Sequence, residues 1–335
     1  MEVPLENSVQ TDQTINRCDS KILSKRKLNL LYEDKWIDKK GVISLAVPKE
    51  FSFKECLHFL GRSSEENLHL IKNETIYKLF RIEDKKILVQ ISWDEGGSMQ
   101  VEFLNFYPRE STRLTILGII SEWFDLKSDL SSFYLMAETD AILKNIIHDY
   151  YGLRLIGIPN LFEAIVWAVI GQHINLAFAY TLKKRFVENF GEKIIYAGNL
   201  FWLFPTPKAI LRLSPTDLLG LQLTQNKSNC IIDLARRMEN GILSKDILTR
   251  SKNLESVKKE LINIRGVGSW TADYVLMKCL RDPTAFPIGD VGLQNAIKNQ
   301  LNLSQKPSKK IMKELANHWG NWKAYATFYL WRTLI

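Results

Sequence analysis

The sequence predicts an α+β protein, a small N-terminal antiparallel-sheet domain followed by an all-helical body. Three observations carry this. Residues 42–106 hold four short runs rich in β-branched and aromatic residues, ISLAV, TIYKLFRI, KILVQISW and MQVEFLNF, separated by turn signals such as EDKK and DEGGS. After Pro108 such runs stop, and apolar residues recur three and four apart in segments of about 10 to 20 residues closed by glycine, proline or Asp/Ser caps. Residues 264–275, IRGVGSWTADYV, then interrupt a helical pattern with two glycines and restart it at once.

Taken in order, residues 1–28 are polar without an apolar period and predict a loose lead-in. Residues 29–110 form the sheet domain, with FKECLHFLG read as a helix between the first two strand runs. Residues 111–335 form the helical body, with helices over DAILKNIIHDYYG, LFEAIVWAVIG, LAFAYTLKKRFVENFG, DLLGL, CIIDLARRMENG, LESVKKELINI, SWTADYVLMKCL, VGLQNAIKNQL and KAYATFYLWRTL. No fixed-period repeat is present.

Length and composition narrow the class. With 335 residues, 46% hydrophobic and 24% charged, the chain can bury a large core spread over two or three domains. The longest apolar stretch, LFEAIVWAVIG, is interrupted by Glu163 and falls short of the roughly 20 residues of a bilayer span, and the opening MEVPLENSVQ is polar and acidic. A cytoplasmic protein without signal peptide or membrane segment is expected. Cys18, Cys56, Cys230 and Cys279 are scattered without C-x-x-C spacing, so reduced structural thiols are expected, with neither a disulfide framework nor a metal cluster. A formal charge of +8 suits a polyanionic partner without identifying one.

In the glycine stretch, LESVKKELINI is amphipathic, Gly266 and Gly268 permit a tight turn with positive φ, and Ser269 is a good N-cap for the next helix. The result is a helix-hairpin-helix over about residues 255–281. Such a hairpin brings backbone amides and a helix start to the surface, where a phosphate can approach closely. A bare G-x-G turn can equally join two packed helices. Twenty residues past Trp270, FPIGDVGLQNAI places Gly289 and Asp290 before another helix, where an aspartate most simply serves as N-cap.

The combination of hairpin and Gly-Asp loop resembles the helix-hairpin-helix DNA glycosylases, and within them the DNA-3-methyladenine glycosylase II (AlkA-like) branch. The matching segments are LFEAIVWAVIGQHIN, INIRGVGSWTADY, AFPIGDVGL and HWGNWKAYATFYLW, and the sheet domain followed by FYLMAETDAILKNIIHDYYGLRL fits the layout, so the resemblance covers most of residues 42–332. It implies a monofunctional DNA glycosylase of base excision repair, which flips alkylated purines such as 3-methyladenine and 7-methylguanine out of duplex DNA and hydrolyses the N-glycosidic bond.

By this resemblance Asp290 is the catalytic carboxylate, stabilising positive charge that develops on the sugar, at a helix start that favours negative charge. Trp270 and Tyr274, four apart on one helix face, match pocket aromatics that attract a cationic base, although aromatics at this spacing are also ordinary core. Trp319 and Trp322 are further pocket candidates, the family's basic and proline-containing tryptophan motif standing here as WGNWK. Gly266, Gly268 and Ser269 are the DNA-gripping hairpin residues. Gln172 and His173 occupy the helix break from which a side chain fills the gap left by the flipped base; glutamine or leucine is usual where this chain has His173, and a histidine bonded to backbone is the alternative. Lys183, Lys184 and Arg185 suit phosphate contacts or a solvated helix face.

Bifunctional relatives carry a Schiff-base lysine just after the hairpin; the chain has Trp270, which implies no lyase activity. No cofactor is implied beyond a monovalent cation near the Ile264 and Gly266 carbonyls, as relatives can hold. The expected partner is double-stranded DNA containing alkylated bases, bound by a monomer associated with the nucleoid. Two other readings stand beside this one: an oxidised-purine glycosylase, and a non-catalytic DNA-binding or damage-sensing protein in which Asp290 only caps a helix.

Overall fold

The computed structural model describes residues 36–39, 41–251 and 253–335. The lead-in expected over residues 1–28, and Cys18 within it, lie outside these residues. An N-terminal antiparallel sheet precedes a helical body, as the alternation of patterns implies. The sheet holds six strands, β1 (Trp36–Lys39), β2 (Val42–Leu45), β3 (Leu70–Lys72), β4 (Thr75–Ile82), β5 (Lys85–Trp93) and β6 (Met99–Phe103), in the order β1-β2-β6-β5-β4-β3. Its register pairs apolar residues of one face across strands, Leu45 with Met99, Ile91 with Val101 and Ile76 with Ile91. All of these are at most 2% exposed. Each side chain so buried contributes roughly 1.5–3 kcal/mol. β1 and β3 were not among the four predicted runs, because three or four residues at the sheet's edges show too little alternation to register as strands.

Between β2 and β3 the helix Phe53–Leu60 is capped by Ser52, whose hydroxyl accepts from the Glu55 amide. Its apolar face, Phe53, Cys56, Leu57, Phe59 and Leu60, is buried in the core that the sheet and the helical body share. Phe59 meets Phe328 of the C-terminal helix Lys323–Arg332 with ring centroids 4.3 Å apart. Arg332 of that helix bonds Glu55 at 3.1 Å. Arg154 is fully buried, and its guanidinium donates to the carbonyls of Asp125, Ser128 and Glu50. A buried guanidinium is tolerated because its donors are satisfied. These contacts make the sheet domain and the helices one packed unit.

The helical body is built around Leu161–Gly171, capped by Asn160 and apolar on every side, with Ala164, Ile165, Val166, Val169 and Ile170 all fully buried. The expectation of an all-helical body has one exception. Residues Glu192–Tyr196 (β7) and Asn199–Leu203 (β8) form a two-stranded antiparallel hairpin between the helices Leu176–Phe190 and Pro207–Ile210. Ala197 and Gly198 both have positive φ, 45° and 77°. This is the backbone of a two-residue I′ turn. Alanine is an unusual residue there, so the turn gave no composition signal. The hairpin packs on the sheet through Phe201 against Tyr77, and Glu192 pairs with Arg81 and Lys86.

Cys56, Cys230 and Cys279 are free and buried, with burial pushing each thiol up to about 12. Among the described residues no helix is long and apolar enough to cross a membrane.

Candidate active site

The helix-hairpin-helix consists of Leu254–Ile262 and Ser269–Lys278, joined across residues 263–268. Only one of its glycines takes the left-handed backbone expected of both. Gly266 has φ +94°, and a Cβ there would stand 2.9 Å from the Cβ of Cys230. Gly268 is extended, with φ −93° and ψ 177°, and nothing lies within 4 Å of where its Cβ would be. Gly268 is itself the N-cap and Ser269 the first helical residue, so the cap expected at Ser269 falls one residue earlier. No side chain caps this helix start among the described residues. Gly266, Gly268 and Ser269 are exposed, which leaves the first amides of the helix open to an anion. The two helices are tied by Lys258 and the buried Asp273, 2.5 Å apart.

Asp290 caps the helix Val291–Gln300, its Oδ1 accepting from the Leu293 amide at 2.7 Å. Capping is only part of its environment. Oδ1 also accepts from Trp331 Nε1 at 2.9 Å, and Oδ2 accepts from Trp270 Nε1 at 2.9 Å. Three donors on about four lone-pair positions fix the carboxylate and leave Oδ2 with accepting capacity. Gly292 makes this close approach possible, because a Cβ there would meet Asp290 Oδ1 at 3.0 Å and Trp331 at 3.7 Å.

An aromatic cluster lies behind the two indoles. Tyr274 stands 5.7 Å from Trp270 and 6.0 Å from Trp331, centroid to centroid. Its hydroxyl accepts from Trp167 Nε1 at 2.8 Å, and Trp167 packs on Tyr180 at 4.9 Å. Burial pushes the Tyr274 hydroxyl well up and that of Tyr180 up to about 12, so both remain phenols at neutral pH. Trp167, Tyr180 and Tyr274 also wall a cavity whose remaining lining comes largely from the sheet domain and from Glu163, Lys183 and Lys278. The cavity volume is about 60 Å³.

Trp319 is not part of this cluster. It is fully buried, its Nε1 donates to Asp140 at 3.1 Å, and it packs edge-on against Phe286, so the expected pocket aromatic is a core residue. Trp322 packs on Phe133 and Tyr325 and lines a second cavity, with Asp125 and Arg281, that shares no wall residue with the first. Trp319 thus belongs to the core and Trp322 packs partly buried against it.

Gln172 braces the hairpin. Its Nε2 donates to the Gly266 carbonyl at 2.9 Å and to Thr271 Oγ1 at 2.8 Å. The amide N–H groups are thus both used on the hairpin, and Gln172 holds the helix break against it. His173 is exposed and has φ +58°, an uncommon backbone for a residue with a Cβ. It stands at the helix break as the sequence implies. Lys227, not singled out in the sequence, caps the preceding helix by donating to the carbonyls of Ile170 and Gln172.

Of the three basic residues of the helix Leu176–Phe190, Lys183 is buried and not on a solvated face, whereas Lys184 and Arg185 are partly exposed and each has a protein partner. Lys183, 6% exposed, pairs with Glu66 at 2.5 Å, Lys184 with Glu65 at 3.2 Å, and Arg185 bonds Gln222. Burial pushes the Glu66 carboxyl up, but Lys183, His69 and the Leu68 amide together outweigh it and hold the group well below the usual carboxylate range. The carbonyls of Ile264 and Gly266, named for a monovalent cation, accept from the Val267 amide and from Gln172. Each carbonyl keeps one lone pair.

Trp331 is the partner of the carboxylate that the sequence does not single out. It lies 41 residues from Asp290 in an apolar helix with no spacing to tie it to the site. Only the fold brings it there.

Comparison with known proteins bears on the whole arrangement. Residues 166–321 match the model of the HhH-GPD superfamily base excision DNA repair proteins, and residues 44–165 that of the 8-oxoguanine DNA glycosylase N-terminal domain. A DNA-3-methyladenine glycosylase of Bacillus subtilis is 48% identical over 301 residues, 89% of this chain and 99% of its own length. The structure of a 3-methyladenine DNA glycosylase from Archaeoglobus fulgidus superposes with a TM-score of 0.75 at 22% identity, covering 87% of this chain and 97% of that one. The apo structure of the Clostridium acetobutylicum 8-oxoguanine glycosylase/lyase superposes at 0.68 and 19%, covering 89% and 98%. The last two similarities concern the fold. On the first, the chain belongs to the DNA-3-methyladenine glycosylase family, within the HhH-GPD superfamily of base excision DNA repair proteins.

Proposed function

We propose that this chain is a monofunctional glycosylase, acting as a monomer on double-stranded DNA, that releases cationic alkylated purines of the 3-methyladenine and 7-methylguanine type and leaves an abasic site. The observation that carries this reading is the Asp290 carboxylate, half-buried, held by two indole N–H groups and a helix start beside an aromatic cluster. An extruded nucleotide with its sugar against Asp290 would put its base toward Trp270, Tyr274 and Trp331. Their electron-rich faces attract a positively charged ring.

In the reaction the bond from C1′ to the base nitrogen breaks, and its electron pair neutralises the cationic purine. Positive charge moves to the sugar, where Asp290 stabilises it electrostatically until water adds to C1′ and loses a proton. The leaving purine is already activated, so no general acid is needed. At the position of the Schiff-base lysine in bifunctional relatives stands Trp270, whose indole is committed to Asp290. The exposed start of the helix Ser269–Lys278 grips a phosphate, and a monovalent cation on the Ile264 and Gly266 carbonyls would add to that grip.

Incubation with methylated DNA and chromatography of the released bases tests this reading. Release of 3-methyladenine and 7-methylguanine without strand cleavage is expected. Cleavage at the abasic site, or release of 8-oxoguanine in preference, would overturn it.

A further inference from the structure

The cavity behind Tyr274 is walled by an unusual number of ionisable side chains for a pocket meant to attract cations, and most are already engaged. Lys183 pairs with Glu66, Lys78 donates to the Leu68 carbonyl, His69 bonds the Leu60 carbonyl, and Arg62 donates to the Phe59 carbonyl and packs over Tyr180. Two are not. Among the described residues, Lys278 and Glu163 have no hydrogen-bond or ion-pair partner for their side chains.

Lys278 is the more constrained of the two. It is 3% exposed and lies on the same helix as Trp270 and Tyr274, at four-residue intervals, so the three share one face. Its ammonium nitrogen stands 4.5 Å from the Phe328 ring centroid and 5.0 Å from that of Phe59. Two turns, about 12 Å along the axis, separate it from Trp270 and hence from the Asp290 end of the site. An amine buried with unmade hydrogen bonds is costly. Burial, with the cationic Arg62 and Arg281 beside it, pushes the amine well below the usual lysine range, toward the uncharged form.

We propose that Lys278 is a specificity-determining residue whose amine donates to the carbonyl oxygen of an extruded oxopurine, favouring 7-methylguanine-type bases over aminopurines such as 3-methyladenine. This rests on the function proposed above. An uncharged amine supplies N–H donors without setting a positive charge against a cationic ring. On the facing helix, Glu163 is the complementary group, its carboxyl near Lys78 and Lys183 without a hydrogen bond to either. An oxopurine presents a carbonyl and a ring N–H on one edge, and the amine and carboxyl match these in kind.

The test is a single reaction of the full chain with methylated duplex DNA, in which released 7-methylguanine and 3-methyladenine are measured together. Lys278→Met is expected to lower the ratio of 7-methylguanine to 3-methyladenine about tenfold, the effect of one hydrogen bond. Lys278→Gln, which keeps N–H donors, is expected to restore most of the ratio. The thermal midpoint of Lys278→Met is expected at or above that of the parent, because an unsatisfied buried amine has been removed. An unchanged ratio in Lys278→Met would overturn the inference while leaving the glycosylase reading intact. So would a lower midpoint, which would make the lysine structural, or a borohydride-trapped DNA adduct that disappears with Lys278, which would make it a nucleophile. If the parent chain releases neither base, both readings fall together.

Discussion

Two aspartates in this molecule are built alike and stand in different surroundings. Asp140 accepts from the Ile142 and Leu143 amides ahead of the helix Leu143–Asp149, and its other oxygen takes the indole N–H of Trp319. Asp290 accepts from the Leu293 amide and takes the indole N–H groups of Trp270 and Trp331. A helix-start carboxylate with an indole on it is therefore not a functional signature in itself. What differs is the indole's own packing. Trp319 is fully buried against Phe286, whereas Trp270 and Trp331 are partly exposed and back onto the Tyr274 cluster and its cavity.

If that contrast is right, the two sites respond to mutation on different scales. The largest effect is expected at Trp319→Ala, which empties a core position and costs about 4 kcal/mol of stability by denaturant titration. Base release per folded molecule stays at the parental rate; a loss of release in the fraction that remains folded would return Trp319 to the pocket. Next, Asp290→Asn keeps an acceptor for the helix amide but removes the charge. Release from methylated DNA falls about a hundredfold, roughly 3 kcal/mol in the barrier, with the melting temperature nearly unchanged and duplex binding retained. Parental release from this variant would reduce Asp290 to the role of Asp140.

Trp331→Phe sharpens the comparison, since it removes one of the two indole donors and keeps the ring. A loss of about tenfold in single-turnover release is expected, the worth of one hydrogen bond to a charged group. Asp140→Ala affects release least: release is unchanged, while stability falls by about 2 kcal/mol from a lost cap and the buried Trp319 indole N–H left unpaired.

The fold was legible where patterns were long. β4 and β5 are runs of eight and nine residues rich in β-branched and aromatic side chains, and the helices of the body carry their apolar period through several turns. Short edge strands and a hairpin turning on Ala197 were not, because neither alternation nor turn chemistry has room to show in four or five residues. Within the site, Trp270, Tyr274 and Asp290 fall together because the helix period and a short loop fix their geometry locally. Trp331 and Lys278 could not be found this way. One reaches the carboxylate from the far end of the chain, and the other resembles any lysine in the last turn of a helix, where cations are ordinary. Lys183 was misjudged for a related reason. Its partner Glu66 lies 117 residues earlier, so nothing on its own helix predicts burial.

The wall of the cavity is shared, with Arg62, Glu66, His69 and Lys78 arriving from the sheet domain and Tyr180, Lys183, Tyr274 and Lys278 from the helices. Arg154 and the Glu66–Lys183 pair fasten these halves together at some distance from the carboxylate. On the role proposed for Lys278, fidelity and bond cleavage are lodged in different parts of the machine. Heat or chaotrope that slackens the seam would make the enzyme indiscriminate before it made it idle.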